Sequence, residues 1–468
     1  MSLMTPSTRL LIALGAVTLL SGCSVFRNYD SELAQTNQQL ASGNVDGALA
    51  LLEKNNTGED RDLLFFFEKG ELLRAKGDLA GSQKAWGSAD QVVGQWEDAV
   101  KLDYAKYAAQ FGSFLVNDKV RRYEGYDYEK VMLTTQMALN FLATNDFESA
   151  RTAIKKTHER EAVIAELRDK QYLKREEEAD KEGIKTQYKD LKGYPVASLD
   201  APDVVSLKNS YQSAFSHYLA GYVYEALGEK DLAAPGYRQA AELRPNTPLL
   251  EQALVNLDKP AAKDDDSDIL IVVQSGLAPA RDSIRIPLPL LISNNVVITP
   301  LSFPIIKADT STPGFSQIGV DGQQVNLTAL NSTTAMSSRA LRDDMPGIIL
   351  RSSVRAISRG IAQKNLNKVN PMAGLAVGLT SAVLEGADTR TWRTLPDTTQ
   401  VVRLRLKKGE HQVSLPSAVG GSLVKVTIDQ RYQVISLRAI GNQVFTSGLA
   451  AQRVPSVNPT AVATINQP

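Results

Sequence analysis

Few side chains in this 468-residue sequence stand where they could do covalent or metal chemistry. Cys23 is the only thiol, so it can serve as a nucleophile but can form no internal disulfide. The three histidines, His158, His217 and His411, are isolated from one another in sequence and build no metal box. After His158-Glu159, a zinc-protease helix would place its second histidine at position 162, which is alanine. There is no nucleophile elbow, phosphate loop or dinucleotide glycine fingerprint. The aspartates of LDKPAAKDDDSD (257–268) lack the glycine and terminal glutamate of a calcium loop. The reading is a non-enzyme with no catalytic residues, no metal and no cofactor.

The position of Cys23 gives its thiol a task. Arg9 precedes the apolar run Leu10 to Leu20, and the small pair Ser21-Gly22 leads directly into the cysteine. An apolar core of about a dozen residues falls short of the roughly 20 that a spanning helix needs, so residues 1–22 read as a cleaved signal peptide. The run Leu20-Ser21-Gly22-Cys23 resembles the bacterial lipobox. The resemblance implies thioether lipidation of Cys23, cleavage before it and acylation, for instance with palmitate, of the new amine. Several acyl chains make a durable anchor where one would not. Ser24, in place of aspartate, implies the outer membrane in the Gram-negative pattern, with the chain facing the periplasm.

Two groups of residues could instead carry recognition. Arg351, Arg355 and Arg359, spaced by four, form a basic stripe on a helix whose adjacent face is Leu350, Val354, Ile357 and Ile361. An exposed face with incidental charge is the first reading; a strip for acidic partners or lipid headgroups is the second. Further on, ADTRTWRTLP gathers Asp388, Arg390, Trp392 and Arg393 into one short connection. It reads equally as a recognition surface or as a charge-paired corner stapling helix to sheet. The formal net charge of zero argues against a nucleic-acid partner.

The elements that would position these residues fall into two halves. With 43% hydrophobic residues there is ample apolar surface for several domains. In residues 23–256 a small residue followed by an acid or amide recurs as Gly43-Asn44, Gly77-Asp78, Asn145-Asp146 and Gly228-Glu229, and the first two glycines lie 34 residues apart. That spacing is the length of a tetratricopeptide (TPR) repeat. The fullest copy runs from about Ala214 to Asn246: His217 in the large position, Ala220-Gly221 as the close-contact pair, Tyr224 below, Ala233 and Tyr237 opening the second helix, Pro245 ending it. A second copy carries Phe66, Gly70, Leu73, Ser82, Trp86 and Ala89; weaker ones rest on Ala48 and Leu52, and on Phe141, Ala150 and Ile154. Stacked helical hairpins need such small residues at crossings because neither helix buries its stripe alone. Residues 155–192 form a charged, solvated helical arm, folded back near Gly183, with Val163/Leu167 and Ile184/Tyr188/Leu191 as sparse packing positions.

After the 257–268 linker, residues 269–450 read as a mixed α/β domain. Strands are expected at Ile269–Val273, Val296–Phe303, around the Asp321-Gly322 turn, and in a meander through 401–406, His411–Leu415, Leu423–Ile428 and Tyr432–Leu437. A helix beginning at Asp343-Asp344-Met345-Pro346 is inserted between them. Met372–Leu384, with Gly374 and Gly378, reads as a buried core helix sooner than a membrane-inserted hairpin. Residues 451–468 are expected to be a disordered tail. The fold class is thus α+β multidomain: TPR-like all-α repeats, then an antiparallel β-sandwich-like domain with inserted helices.

Lipobox, TPR-like helices, RALRDDMPGIILRSSVRAISR and ADTRTWRTLP together resemble an uncharacterised family of proteobacterial TPR-containing outer-membrane lipoproteins. The resemblance implies a non-catalytic protein–protein interaction scaffold in the cell envelope, partnered with one or more envelope proteins and linked to peptidoglycan synthesis or an envelope assembly. The alternative is a peptidoglycan-binding module or an unrecognised envelope enzyme.

Overall fold

The computed structural model describes residues 29–57, 61–106, 122–259, 265–292, 295–369, 387–448 and 451–453. The signal segment, Cys23 and Met372–Leu384 lie outside the described residues.

Each recurring small-polar pair turns a helical hairpin. The hairpins are α1 (Tyr29–Ala41) with α2 (Val45–Asn55), α3 (Leu63–Lys76) with α4 (Leu79–Leu102), α5 (Asp127–Leu142) with α6 (Phe147–Glu182), and α8 (Ala214–Ala226) with α9 (Lys230–Leu243); the short α7 (Pro202–Val205) precedes the last, and α10 (Pro248–Leu257) follows it. At every turn the first residue of the pair takes the left-handed backbone: Gly43 at φ 86°, Gly77 at 87°, Asn145 at 59°, Gly228 at 80°. In three of the four, the next residue caps the following helix, as Asn44, Asp78 and Asp146 accept from the amides of Gly47, Gly81 and Ser149. One dipeptide thus ends a helix and starts its successor.

Close approach within the hairpins uses the glycines named from sequence. A methyl group added at Gly70 would stand 2.2 Å from the Trp86 ring, and one at Gly221 2.4 Å from Tyr237. Trp86, Ala233 and Tyr237 are fully buried, Tyr224 and His217 nearly so, Phe66 is half-buried and packs edge-on to Phe65, and Pro245 stands exposed just past the end of α9.

The charged arm is the outer part of α6, a helix of 36 residues that ends where Gly183 turns left-handed at φ 62°. The chain does not return as a helix beyond it. Tyr188 instead opens a short 3-10 turn that Leu191 ends, and both pack into a core with Ile286, Phe303 and Leu341 of the C-terminal half. Nor is the arm merely solvated, since Val163, Ile164 and Leu167 are buried.

In the C-terminal half, one sheet has the order β11 (Gln443–Ser447), β10 (Tyr432–Ile440), β1 (Asp266–Ser275), β7 (Thr398–Lys407), β6 (Thr328–Ser332). The second runs β12 (Ala451–Arg453), β9 (Leu423–Ile428), β8 (Gly409–Ser414), β4 (Gln317–Val320), β5 (Gln323–Asn326), while β2 (Ala280–Ile292) and β3 (Asn295–Lys307) form a separate hairpin. Asp321 and Gly322 turn β4 into β5 with φ of 49° and 81°, as an Asp-Gly hairpin requires. Two expectations change. The last strands are no simple meander: β7 and β10 flank β1 in one sheet, whereas β8 and β9 lie in the other, and β1 pairs with β10 in parallel. The reason is β1 itself, whose sequence is apolar on both faces and so belongs at the centre. Ala451–Arg453, placed in the expected tail, pairs with β9 as β12.

Successive β1 side chains face two cores. Ile269, Ile271 and Val273 pack against the second sheet, while Leu270 and Val272 pack against the helical hairpins. The result is three layers: helices, a mixed sheet, a second sheet. The polar stretch that divides the halves in sequence does not divide them in packing.

The inserted helix, α11, spans Thr333–Val369, so it begins ten residues before the expected acidic start and contains Pro346. Its first turn is held locally by Ser332, whose hydroxyl accepts from the Ala335 amide (3.2 Å), and from outside by Asp397, whose Oδ1 accepts from the Thr334 amide (2.8 Å) and hydroxyl (2.6 Å). Asp343 and Asp344 are therefore mid-helix and are used as salt-bridge partners: Arg339 pairs with Asp343 one turn on, and Asp344 reaches α6.

Candidate functional site: an arginine-lined cleft

Two of the joints between the helical array and the C-terminal half differ in their chemistry. The first is built on the ADTRTWRTLP connection. Trp392 is fully buried, stacked on Phe67 at 4.4 Å between ring centres and edge-on to Trp86 at 6.0 Å. Two carboxylates from the hairpins clasp the backbone beside it. Glu129 Oε1 accepts from the Trp392 amide (2.7 Å) and the Thr391 hydroxyl (2.9 Å); Glu68 accepts from the amides of Arg393 (2.7 Å) and Thr394 (3.0 Å) and from the Thr394 hydroxyl (2.5 Å). Burial pushes the Glu68 carboxyl up to about 7 although all these donors oppose it, and burial likewise raises Glu129. Arg393, also buried, pairs with Asp30 at 2.8 Å. Trp392 and Arg393 therefore face inward and offer no recognition surface in this fold.

Asp388 and Arg390, at the start of the same connection, go elsewhere. They line a cleft of about 200 Å³ together with Arg351, Arg355 and Arg359 of α11. Two residue groups thirty positions apart in sequence thus meet at one site. The stripe is not an exposed face: Arg355 is buried, and Arg351 and Arg359 are half-buried. The opposite wall is α6, with Arg168, Lys174 and Arg175; the floor adds Lys130 of α5 and Arg281 of β2. Among the described lining residues, ten arginines and lysines face five carboxylates.

Part of this charge is structural. Arg168 donates to Asp127 at 2.5 Å and to Asp344 at 2.7 Å, tying α5, α6 and α11 together. Burial pushes the Asp344 carboxyl up, but Arg168, Arg175, Arg351 and Arg281 outweigh it, so the net movement is down. Lys130 Nζ lies 3.6 Å from the centre of the Trp96 ring, and Arg390 is paired with Asp388 at 2.7 Å beside the Tyr123 ring. Arg281 was not singled out from sequence. It is only 3% exposed, its guanidinium lies 4.1 Å from the centre of the Tyr126 ring, and its Nε and Nη1 make no hydrogen bond. Burial also pushes the Tyr126 hydroxyl well up, keeping that ring neutral. No local signal marks Arg281, because an arginine in a strand ordinarily points to solvent.

The histidines, isolated in sequence, are partly brought together. His158 and His217 stack at 5.1 Å, with Glu161 3.1 Å from His217, and burial lowers His158. Among the described residues no group of three or more His, Cys, Asp or Glu side chains could hold a metal ion, and no helix is long and apolar enough to cross a membrane.

No protein-family model and no curated protein matches the sequence. Among solved structures, the chain is similar to a tetratricopeptide repeat protein from Parabacteroides merdae, at 12% identity and a TM-score of 0.14, over 49% of this chain and 98% of that one. With so low a TM-score, the repeat assignment rests on the four hairpins themselves.

Proposed function

We propose that this chain is a non-catalytic interaction scaffold of the bacterial cell envelope, held to the outer membrane by lipids on Cys23 and facing the periplasm. The observation that supports it best is the run of four helical hairpins, three of them with a side-chain cap at the turn and two with a close glycine crossing, an architecture suited to presenting protein-binding surface. The lipobox-like run before Cys23 supports the address. Part of the helical surface is already occupied by the first sheet, through Arg74, which donates to Gln274 of β1 (2.7 Å) and Ser436 of β10 (2.6 Å). The C-terminal half is therefore a fixed part of the scaffold, and an envelope partner docks on the faces left over. A link to peptidoglycan synthesis or an envelope assembly follows from the family resemblance.

The test is crosslinking of the full chain in its native envelope, followed by identification of what is captured. Specific proteins should be enriched over a Cys23→Ser chain and over an unrelated lipoprotein. Enrichment of none removes the scaffold. Retention on bare peptidoglycan sacculi without any protein would replace it by a glycan-binding module.

A further inference from the structure

We propose that the cleft between α6 and α11 binds a phosphoryl group, with Arg281 as its central ligand. This goes beyond the scaffold reading and stands whether or not the hairpins carry a protein. The first ground is Arg281 itself. A buried guanidinium is normally hydrogen-bonded on most of its edges, and leaving such donors unmade is costly. Here Nε and Nη1 make no hydrogen bond, and the face of the group is held by Tyr126 through a cation–π contact that leaves its charge in place. Asp344, a carboxylate that attracts it, is already hydrogen-bonded by Arg168. The guanidinium is thus positioned, dehydrated and not neutralised by a direct bond.

The second ground is the charge of the surroundings. Ten cationic side chains against five carboxylates leave an excess suited to an anion of more than one charge. They come from several elements, among them α6, α11 and β2, so an anion in the cleft is approached from more than one element. A planar carboxylate is matched by one guanidinium fork; a tetrahedral phosphoryl group has three terminal oxygens and accepts from several directions. The volume, about 200 Å³, lies below that of a pocket for a drug-sized ligand and admits a phosphate or headgroup, not a folded domain. Two sources share this chemistry, a phospholipid headgroup of the anchoring membrane and a free phosphorylated solute.

The experiment is thermal unfolding and calorimetric titration of the full chain in detergent with inorganic pyrophosphate, against citrate and sodium chloride at equal ionic strength. Pyrophosphate should raise the unfolding midpoint saturably, the controls should not, and Arg281→Gln should weaken binding about tenfold or more, the weight of one charge-assisted hydrogen bond. Arg281→Lys, which keeps the charge without the fork, should fall between. If Arg281→Gln does not fold, Arg351→Gln with Arg390→Gln on the cleft walls carries the same readout. For the source, a Cys23→Ser chain is sedimented with phosphatidylcholine vesicles with and without phosphatidic acid. Binding to phosphatidic acid that Arg281→Gln abolishes assigns a headgroup; pyrophosphate binding without it assigns a solute. No saturable pyrophosphate effect, an equal effect of citrate, or an effect indifferent to the arginine substitutions overturns the proposal.

Discussion

The Trp392 joint and the cleft are both rich in charge, yet they differ in how that charge is balanced. At the Trp392 joint, Glu68 and Glu129 each accept from backbone amides and a hydroxyl, the apolar ring between them is enclosed by Phe67 and Trp86, and Arg393 pairs with Asp30 although its Nη1 makes no hydrogen bond. At the cleft, cations outnumber carboxylates and one buried guanidinium keeps two nitrogens without hydrogen bonds. A satisfied polar network holds the fold together, and an unsatisfied one spends stability on something else. The Trp392 joint is thus structural, and the cleft is poised for a ligand.

The largest effect should come from emptying the first joint. Trp392→Ala removes a fully buried ring from between two helices and the sheet, and should cost about 3–5 kcal/mol in chemical denaturation. A loss under about 1 kcal/mol would mean that Trp392 is not the staple described. Next is the pH dependence of the same joint. Because burial raises Glu68 from 4.5 to about 7, the folded chain keeps a proton that the unfolded chain releases. Stability from this group is full below the unfolded value and is lost as pH rises through about 7, on the order of 3 kcal/mol in all. Glu129 moves in the same direction. Denaturation between pH 4.5 and 7 should therefore show a decline that Glu68→Gln reduces and the Glu68→Gln/Glu129→Gln pair flattens further. At the cleft the sign reverses: the net-lowered Asp344 contributes stability at neutral pH that is lost on acidification. An unchanged slope in the double variant would show both carboxylates ionised throughout.

A smaller effect is expected inside a hairpin. Gly221→Ala sets a methyl group 2.4 Å from the buried Tyr237 ring and should cost about 1–3 kcal/mol, whereas Gly87→Ala, with open space around it, should cost nothing or stabilise α4 slightly. Equal effects at the two positions would break the close-crossing assignment.

The hairpins were legible in the sequence because their turns use one local device, a left-handed residue followed by a cap, which needs no knowledge of the partner helix. Gly70, Gly221 and Trp86 could be named because they fall at the spacings of the repeat pattern. The strands were legible as segments, but not their arrangement. That β1 lies between β7 and a parallel β10 depends on which faces are covered, a tertiary fact. The start of α11 differs from the expected one because Asp343-Asp344-Met345-Pro346 imitates a helix N-terminus, while the true start is held by Ser332 and by Asp397, more than sixty residues away. The candidate site was half legible. The arginine stripe and Asp388/Arg390 were visible as charges, but that they meet across one cleft was not, and Arg281 carried no local mark at all.

The smallest effect is the most discriminating. Arg281→Met keeps a long side chain over Tyr126 while removing a buried charge whose Nε and Nη1 lack hydrogen bonds. Replacing a poorly paired buried ion by an apolar group of similar length is often neutral or stabilising, and the lost cation–π contact offsets part of any gain. Without added anion the variant should therefore unfold within about 1 kcal/mol of the parent. A drop of about 3 kcal/mol or more would place Arg281 with Glu68 and Glu129 as a spent structural group, and the contrast between the two joints would disappear.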